Sequence, residues 1–226
     1  MSATWVIVPV KALGDAKQRL AAVLPLEARR RLMLVMLHDV LAALKQVETL
    51  GPIVIVSPDP HVARIAEREG LLLLREARST GHSAAVAAGL AFAKSHGATR
   101  ALTLPADVPL VTADELRELL SPSPRMRGEG TGARVTIVPS RDGDGSNAIV
   151  FEPLDALTLC FGVGSFARHT AQAAERGIAC RTLTFSGIGL DIDSAEDLAE
   201  LVRRTQGLAR YTFLTEPEYS SAGAER

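Results

Sequence analysis

Leu104-Pro-Ala-Asp107-Val-Pro-Leu110 directly follows an apolar run that starts at Arg100, and this junction decides the fold prediction. The run predicts a buried strand that ends with a carboxylate at its C-terminal edge. In an open α/β sheet, ligands bind beyond the carboxyl ends of the strands, so Asp107 is placed for a metal or a substrate. The alternative is that Asp107 caps the next helix, but Thr112 and Asp114 lie nearer to that helix and are better caps.

Strand and helix patterns alternate on both sides of this junction. Apolar runs predict strands at 4–10, 52–57, 71–74, 101–105, 133–139, 147–151 and 178–184, and helical spacing predicts helices at 25–47, 60–69, 84–93, 112–120, from 165 to about 176, and after 194. Such alternation favours an α/β fold with a parallel sheet and right-handed crossovers. We predict a single domain over 1–206, a flexible surface loop over 121–132 and a polar, irregular, partly disordered tail over 207–226.

Composition excludes several classes of function. The formal net charge of the 226 residues is −1, which does not suggest a nucleic-acid-binding surface. No apolar run approaches the ~18 residues of a membrane span, so no membrane association is expected. The two cysteines are too few for a disulfide scaffold and lack the spacing of a zinc site, which fits a cytoplasmic protein.

A cationic loop follows the first predicted strand. It carries Lys11, Lys17 and Arg19 within nine residues. Cations at this position suit a polyphosphate, because lysine supplies a point charge and arginine a planar fork for phosphate oxygens. An ordinary solvated basic turn is the alternative.

Two glycine-containing segments precede helices and could bind an anion. They are Thr80-Gly81-His82-Ser83, before a helix of small residues, and Phe161-Gly162-Val-Gly164-Ser165. Glycine lets the backbone approach a ligand, and the N-terminus of a helix favours negative charge. For the first segment, a helix that simply packs close to the sheet is an equal alternative.

Asp191 and Asp193 alternate on an extended segment, so both carboxylates are expected on one side. Together with Asp107 they suit a hard divalent cation. Ser194 and Asp197 form an acidic variant of the capping box, which leaves the two earlier aspartates free for chemistry. These groups and the cationic loop suggest magnesium-dependent transfer of a nucleotidyl group to a phosphorylated acceptor, without a protein nucleophile.

Five motifs extend this hypothesis. They are Val8-Pro-Val-Lys11 with Ala16-Lys17-Gln-Arg19-Leu20, the Leu104–Leu110 stretch, Gly145-Ser146-Asn147-Ala148, Phe161-Gly-Val-Gly-Ser165-Phe and Leu190-Asp-Ile-Asp193. In content and order they resemble the guanylyltransferase family of coenzyme F420 biosynthesis, known as CofC or FbiD. The resemblance extends from the first strand to the last helix.

The resemblance implies a three-layer nucleotidyltransferase fold, like that of nucleotide-diphospho-sugar transferases, with a mostly parallel, mixed central sheet. This amends the purely parallel prediction. It also implies that GTP and a phosphorylated three-carbon acid give a guanosine-diphospho acid and pyrophosphate, with Mg²⁺ as cofactor. The acid would be phosphoenolpyruvate, 2-phospho-L-lactate or 3-phospho-D-glycerate.

The family's site residues carry over by motif. Ser146, Gly162 and Ser165 would bind the acceptor, and Asp107, Asp191 and Asp193 would bind magnesium. The nucleotide site would comprise Pro9, Val10, Lys11, Lys17, Arg19, Gly81, Ser83 and Asp107, with catalytic roles for Lys17, Arg19 and Asp107.

Three positions depart from the family pattern and leave alternatives open. Ser146 stands where the family usually has threonine, Val163 where it has proline, and Gly81-His82-Ser83-Ala-Ala85 where it has G-L-N-A-A. A transferase of the same fold with another nucleotide or a sugar phosphate is one alternative, and a nucleotide-binding protein without catalysis is another. A homodimer and hand-over of the product to the downstream F420 transferase are both compatible with the resemblance.

Overall fold

A computed structural model describes residues 3–122 and 132–215. Most of the predicted surface loop at 121–132 and the last eleven residues of the predicted tail therefore lie outside the described part of the chain. None of the described helices is both long and apolar enough to span a membrane.

A seven-stranded mixed sheet forms the centre of the fold. Its strands are β1 (Thr4–Pro9), β2 (Leu50–Ser57), β3 (Leu72–Arg75), β4 (Ala101–Thr103), β5 (Arg134–Pro139), β6 (Ser146–Glu152) and β7 (Ala179–Thr182), in the order β3-β2-β1-β4-β6-β5-β7. β6 is antiparallel to β4 and β5, and the other neighbours are parallel. The predicted α/β class with a mostly parallel, mixed sheet is confirmed.

The direction of β6 matters for the site. Because β6 runs against β4, its first residue, Ser146, lies at the edge where the parallel strands β1 and β4 end. This is the edge at which α/β proteins bind ligands. Because β6 is antiparallel, the loop between β5 and β6 and the first residue of β6 lie at the same edge of the sheet as Asp107.

Within residues 3–122 and 132–215, six α-helices cover both faces of the sheet. They are α1 (Leu26–Lys45), α2 (Pro60–Arg68), α3 (His82–Ser95), α4 (Ala113–Leu120), α5 (Ser165–Glu175) and α6 (Ala195–Arg204). Side chains of β1 alternate between two buried clusters: Val6 and Val8 pack with α1, α2, α4 and α6, and Ile7 packs with α3 and α5. A strand covered on both faces explains why its sequence is continuously apolar.

The small residues of α3 let this helix approach the sheet closely. A Cβ added at Gly89 would collide with Cγ2 of Ile7 and lie 3.1 Å from Cγ2 of Val56. Close packing of α3 against the sheet, which the sequence offered as one interpretation, is therefore present.

The prediction of an irregular tail from residue 207 is wrong for its first part. Ala209–Thr215 forms a 3-10 helix that contacts α1 and buries Tyr211, Phe213 and Leu214. The Tyr211 hydroxyl donates to Asp39 at 2.7 Å. Three large side chains within four residues bury enough apolar surface to order the segment, although the stretch is too short to show a helical period.

Candidate active site

The predicted site residues meet at the carboxyl edge of the sheet. The backbone N–H of Ile192 donates to the carbonyl oxygen of Asp107 at 3.0 Å. Asn147 Nδ2 donates to Asp191 Oδ1 at 3.0 Å. Segments that lie far apart in the sequence are therefore in direct contact, and the expected convergence of Asp107 with the 191–193 segment is confirmed.

Lys17 lies between two of the three aspartates. Its Nζ donates to Asp107 Oδ2 and to Asp193 Oδ1, both at 2.6 Å. The lysine side chain is only 4% exposed, whereas those of Asp107 and Asp193 are 25% and 45% exposed. Lys17 is also the only described non-glycine residue with positive φ, at 51°. A backbone held in this sparsely populated region is consistent with a side chain whose position is fixed by its contacts.

The electrostatics keep this cluster ionised. Burial alone would lower the pKa of Lys17, but the Asp107 and Asp193 carboxylates outweigh it, and the pKa lies above its ordinary value. Burial alone would raise the pKa of Asp107, but the Lys17 ammonium outweighs it, and the pKa lies below its ordinary value. Both partners of the pair are therefore charged at neutral pH.

Among the residues that the structure describes, no cation forms such a pair with Asp191. Burial and the neighbouring Asp107 carboxylate raise its pKa from the ordinary 3.8 to about 6, even though Asn147 donates a hydrogen bond to it. Asp107 and Asp193 thus share the Lys17 ammonium while Asp191 is left without a cation, so the cluster carries surplus negative charge. This surplus is what an added cation would neutralise.

The donor chemistry of the cluster fits a hard divalent cation, since such ions prefer carboxylate oxygens. The arrangement is nevertheless that of an ion-paired site, with Lys17 between Asp107 and Asp193. Within 3–122 and 132–215, no three Asp, Glu, His or Cys side chains are close enough to hold a metal ion together. Metal ligation by Asp107, Asp191 and Asp193 therefore stays a prediction.

The other cations of the loop after β1 face solvent. Lys11 is exposed, and the Arg19 side chain is 78% exposed, with Nη1 4.0 Å from Asp193 Oδ2. Pro9 and Val10, which precede them, are buried. Lys11 and Arg19 are thus free to meet a polyphosphate, whereas Lys17 is already paired with carboxylates.

Asp59 fixes this loop, and sequence reasoning missed it. Its carboxylate accepts from the backbone N–H of Leu13 at 2.8 Å and from that of His61, also at 2.8 Å. The second contact caps α2, and the first ties the cationic loop to the end of β2. An aspartate before proline, directly after a strand, is a helix-start signal that could have drawn attention to this position.

The predicted acceptor residues form a buried hydrogen-bonded group. Ser146 Oγ lies 3.0 Å from His169 Nδ1, and the Ser146 backbone N–H donates to Ser165 Oγ at 2.9 Å. Ser165 and His169 are fully buried, and Ser146 is 7% exposed. Ser146 and Ser165 are thus brought together as predicted, with His169, which the sequence did not single out as a site residue.

The glycine loop before α5 is held from two sides. Gly162, with φ 109°, is exposed, and the Gly164 N–H donates to Asp144 Oδ2 at 2.8 Å. Arg168 donates to the carbonyl oxygens of Val163 and Cys160. Asp144 therefore already supplies a negative group to the start of α5, where an anion from a ligand was expected.

The start of α3 contacts the same loop. Ser83 Oγ accepts from the Phe161 N–H at 3.0 Å, and the His82 ring packs edge-on against Phe161, with ring centroids 4.6 Å apart. Gly81 is exposed with φ 98°. Ser83 thus supports the glycine loop before α5. Its predicted contact with the nucleotide stays a prediction.

Comparisons with known proteins agree with this geometry. A family model described as "Guanylyl transferase CofC like" matches residues 4–222. The phosphoenolpyruvate guanylyltransferase of Sphaerobacter thermophilus is 40% identical over 198 residues, which cover 88% of this chain and 92% of that protein. The 2-phospho-L-lactate guanylyltransferase of Methanothermobacter thermautotrophicus is 29% identical over 226 residues, which cover 99% and 96%.

Solved structures support the fold. A protein from Desulfovibrio desulfuricans G20, described as a nucleotide-diphospho-sugar transferase, superposes with a TM-score of 0.73 at 16% identity and covers 96% of both chains. At that identity the likeness concerns the fold alone. Family model, relatives and site geometry agree, and the predicted family is confirmed: the chain belongs to the CofC-like guanylyl transferases and is a nucleotidyltransferase.

Proposed function

We propose that the protein transfers the guanylyl group of GTP to a phosphorylated three-carbon acid and releases pyrophosphate, as a step of coenzyme F420 biosynthesis. Phosphoenolpyruvate is the acceptor we favour, because the 40% identical relative is named for it. 2-Phospho-L-lactate, for which the 29% identical relative is named, and 3-phospho-D-glycerate are the other candidates.

One observation carries the proposal. An ion-paired cluster of Asp107, Lys17 and Asp193 lies at the sheet edge, and the Asn147–Asp191 contact joins it to the buried Ser146 group. A charged region and a neutral region are thus placed side by side. This is the arrangement that a triphosphate and a small acidic acceptor require.

The reaction needs no covalent intermediate on the protein. A phosphate oxygen of the acceptor attacks the α-phosphorus of GTP, the new P–O bond forms in line with the bond to the β-phosphate, and that bond breaks to release pyrophosphate. Catalysis is then positioning plus stabilisation of charge. Lys11 and Arg19 would face the triphosphate, and Lys17 holds Asp107 and Asp193 in place through its two ion pairs.

Asp107, Asp191 and Asp193 would hold Mg²⁺. When bound, the ion would neutralise charge on the phosphate oxygens. The support on this side is the raised pKa of Asp191, about 6, which burial and then the neighbouring Asp107 and Asp193 carboxylates cause.

On the acceptor side, Ser146 and the backbone at Gly162 would bind the acid, and Ser165 supports Ser146 through its hydrogen bond. The G-H-S start of α3 lies between the two sides: His82 packs on Phe161, and burial lowers the pKa of its imidazole although the Asp107 carboxylate acts in the opposite direction. Gly81, Ser83 and His82 are therefore placed to influence the choice of nucleotide or acid.

The test is a panel of four nucleoside triphosphates and three acids, assayed for pyrophosphate release with Mg²⁺. We expect release with GTP and one acid above all other pairs, and a product whose mass equals GMP joined to that acid through a diphosphate. Release with another nucleotide, or with a sugar phosphate only, would favour a different transferase of this fold. Nucleotide binding without release under any condition would favour a non-catalytic protein.

We infer a cytoplasmic enzyme that hands its product, an activated diphosphate, to the downstream F420 transferase. We infer a single domain, which extends beyond residue 206 at least to Thr215, because the Ala209–Thr215 helix packs on α1. A homodimer is compatible with this domain, and light scattering in solution would determine it.

A further inference from the structure

The imidazole of His169 contacts two groups that determine which ring nitrogen carries the proton. The backbone N–H of Cys160 lies 3.2 Å from Nε2, and Ser146 Oγ lies 3.0 Å from Nδ1. A backbone N–H can only donate, so Nε2 must accept. In a neutral imidazole the proton is then on Nδ1, and Nδ1–H donates to the Ser146 hydroxyl oxygen.

Neutrality of the ring follows from its surroundings. His169 is fully buried, and burial, followed by the nearby Arg168, lowers its pKa to about 4. The described residues place no carboxylate among its hydrogen-bond partners. The same tautomer is therefore present throughout the neutral pH range.

This assignment determines what the Ser146 hydroxyl can do. Its oxygen accepts from His169, and within the described residues its own proton meets no acceptor. The Ser146 backbone N–H is also occupied, since it donates to Ser165 Oγ at 2.9 Å. The hydroxyl proton is thus available for a hydrogen bond to a group outside the protein.

The location of Ser146 shows where that group must lie. The next residue, Asn147, contacts Asp191 of the charged cluster. Ser146 itself begins β6 at the carboxyl edge and stays 7% exposed, whereas His169 and Ser165 behind it are closed to solvent. Because Ser165 and His169 close the α5 side of Ser146, an outside acceptor reaches Ser146 at the carboxyl edge of the sheet, beside Asn147.

We propose that His169 is a positioning residue: its Nδ1–H holds the Ser146 hydroxyl so that the hydroxyl acts as a hydrogen-bond donor to the acceptor substrate. This donor favours an oxygen that accepts hydrogen bonds and cannot donate one. On the acid, such an oxygen belongs to the carboxylate or to the phosphate. A neutral hydroxyl or amide of the ligand would gain less, because hydrogen bonds to charged acceptors are the stronger ones. The proposal rests on the proposed function, since it concerns how that acceptor is bound.

A purely structural role is the competing interpretation. The His169 ring also packs edge-on against Phe161, with centroids 5.2 Å apart, so that any substitution will disturb some packing. A general loss of stability would affect GTP and the acid alike. The two roles are separated by measuring both KM values and by removing the Ser146 hydroxyl.

The experiment is a double-mutant cycle on the full chain with Mg²⁺, GTP and the best acid of the panel. His169→Phe keeps a ring of similar size but removes both hydrogen bonds, and it is made in the wild type and in Ser146→Ala. We expect His169→Phe to raise the KM for the acid about tenfold, with the KM for GTP within about twofold. In the Ser146→Ala background the same change should have little further effect. The matched control is His96→Phe, at the exposed histidine that directly follows α3.

Two results would overturn the proposal. One is an equal rise in both KM values, and the other is an undiminished effect of His169→Phe in the Ser146→Ala background. If His169→Phe does not fold, the tautomer is measured in the native protein from the ¹⁵N chemical shifts of the histidine ring. A proton on Nε2 of His169 would then refute the assignment. Absence of pyrophosphate release by the wild type would refute the proposed function instead and leave the tautomer result to stand by itself.

Discussion

On one side of the candidate site, the predicted ligand-binding groups are charged and partly open to solvent. The side chains of Asp107, Asp193 and Arg19 are 25%, 45% and 78% exposed. On the other side they are neutral and closed: Ser165 and His169 are fully buried and Ser146 nearly so. The first side is held by ion pairs to Lys17, and the second by directed hydrogen bonds.

This difference has a physical basis. Charges cost much to bury unless they are paired, so a triphosphate site is best built from groups that stay partly solvated. A small acid bound next to it must be distinguished from similar acids, and buried neutral donors give that discrimination because an unmatched partner leaves them without a hydrogen bond. The charged side should therefore control rate, and the neutral side should control acceptor affinity.

The largest effect is expected at the charged side. Asp107→Asn removes the carboxylate that pairs with Lys17 and is proposed to hold Mg²⁺, so we expect pyrophosphate release to fall by about 100-fold or more. Folding should persist, as circular dichroism would show, because Asp193 still pairs with Lys17. Asp114→Asn, at a carboxylate that is 93% exposed on α4, is the control. Unchanged turnover in Asp107→Asn would remove Asp107 from the mechanism.

A substitution on the neutral side should change the affinity for the acid. Ser165→Ala leaves the buried Ser146 N–H without its acceptor, which typically costs about 1–3 kcal/mol. Because Ser146 then moves, we expect the KM for the acid to rise about tenfold and the KM for GTP to change little. Steady-state kinetics with each substrate varied in turn measures both values, and Ser95→Ala, at an exposed serine of α3, serves for comparison. Equal losses for both substrates would contradict the division between the two sides.

Asp191 allows a test of the surplus charge in the metal-free protein. Its pKa is raised in the folded state from 3.8 to about 6, so the folded state binds the extra proton and the stabilising contribution is lost as the pH rises through about 6. Asp191→Asn should thus equal the wild type in unfolding free energy only below the unfolded-state pKa of 3.8, at about pH 3. Above pH 6 the variant should be more stable by about 1–2 kcal/mol, after a discount for screening at the partly open edge.

Urea unfolding in EDTA at several pH values measures this difference. Added Mg²⁺ should raise the melting temperature of the wild type at neutral pH and that of Asp191→Asn much less. A variant that is less stable than the wild type at pH 8 would show that Asp191 is not under electrostatic strain.

The smallest effect is expected for the exposed cation. Arg19→Gln removes a charge that lies 4.0 Å from Asp193 and is largely solvated, so we expect the KM for GTP to rise about threefold. The rise should shrink at 0.5 M salt, because screening already weakens such interactions. A loss that is insensitive to salt would indicate a direct bidentate contact instead.

The sequence by itself determined most of the framework and the identity of the charged residues. The apolar runs predicted the strands of the sheet, and the helical periods predicted the described α-helices that cover its two faces. The Ser194–Asp197 capping box forms as predicted. These are local patterns, which depend on neighbours a few positions apart. Local patterns also predicted the aspartates: Asp107 from its place at the end of a predicted strand, and Asp191 and Asp193 from their alternation on an extended segment.

Only the tertiary structure decided how these parts meet. Lys17 pairs with residues 90 and 176 positions away, and His169 contacts Ser146 across 23 positions, through the reversed direction of β6. The order of the 209–215 segment likewise depends on the surface of α1 that covers it. Such contacts follow from which strands become neighbours, and no local period records them. Lys17, which the sequence predicted as a cation for phosphates, and His169, which it did not single out, thus acquire their proposed positioning roles from the fold.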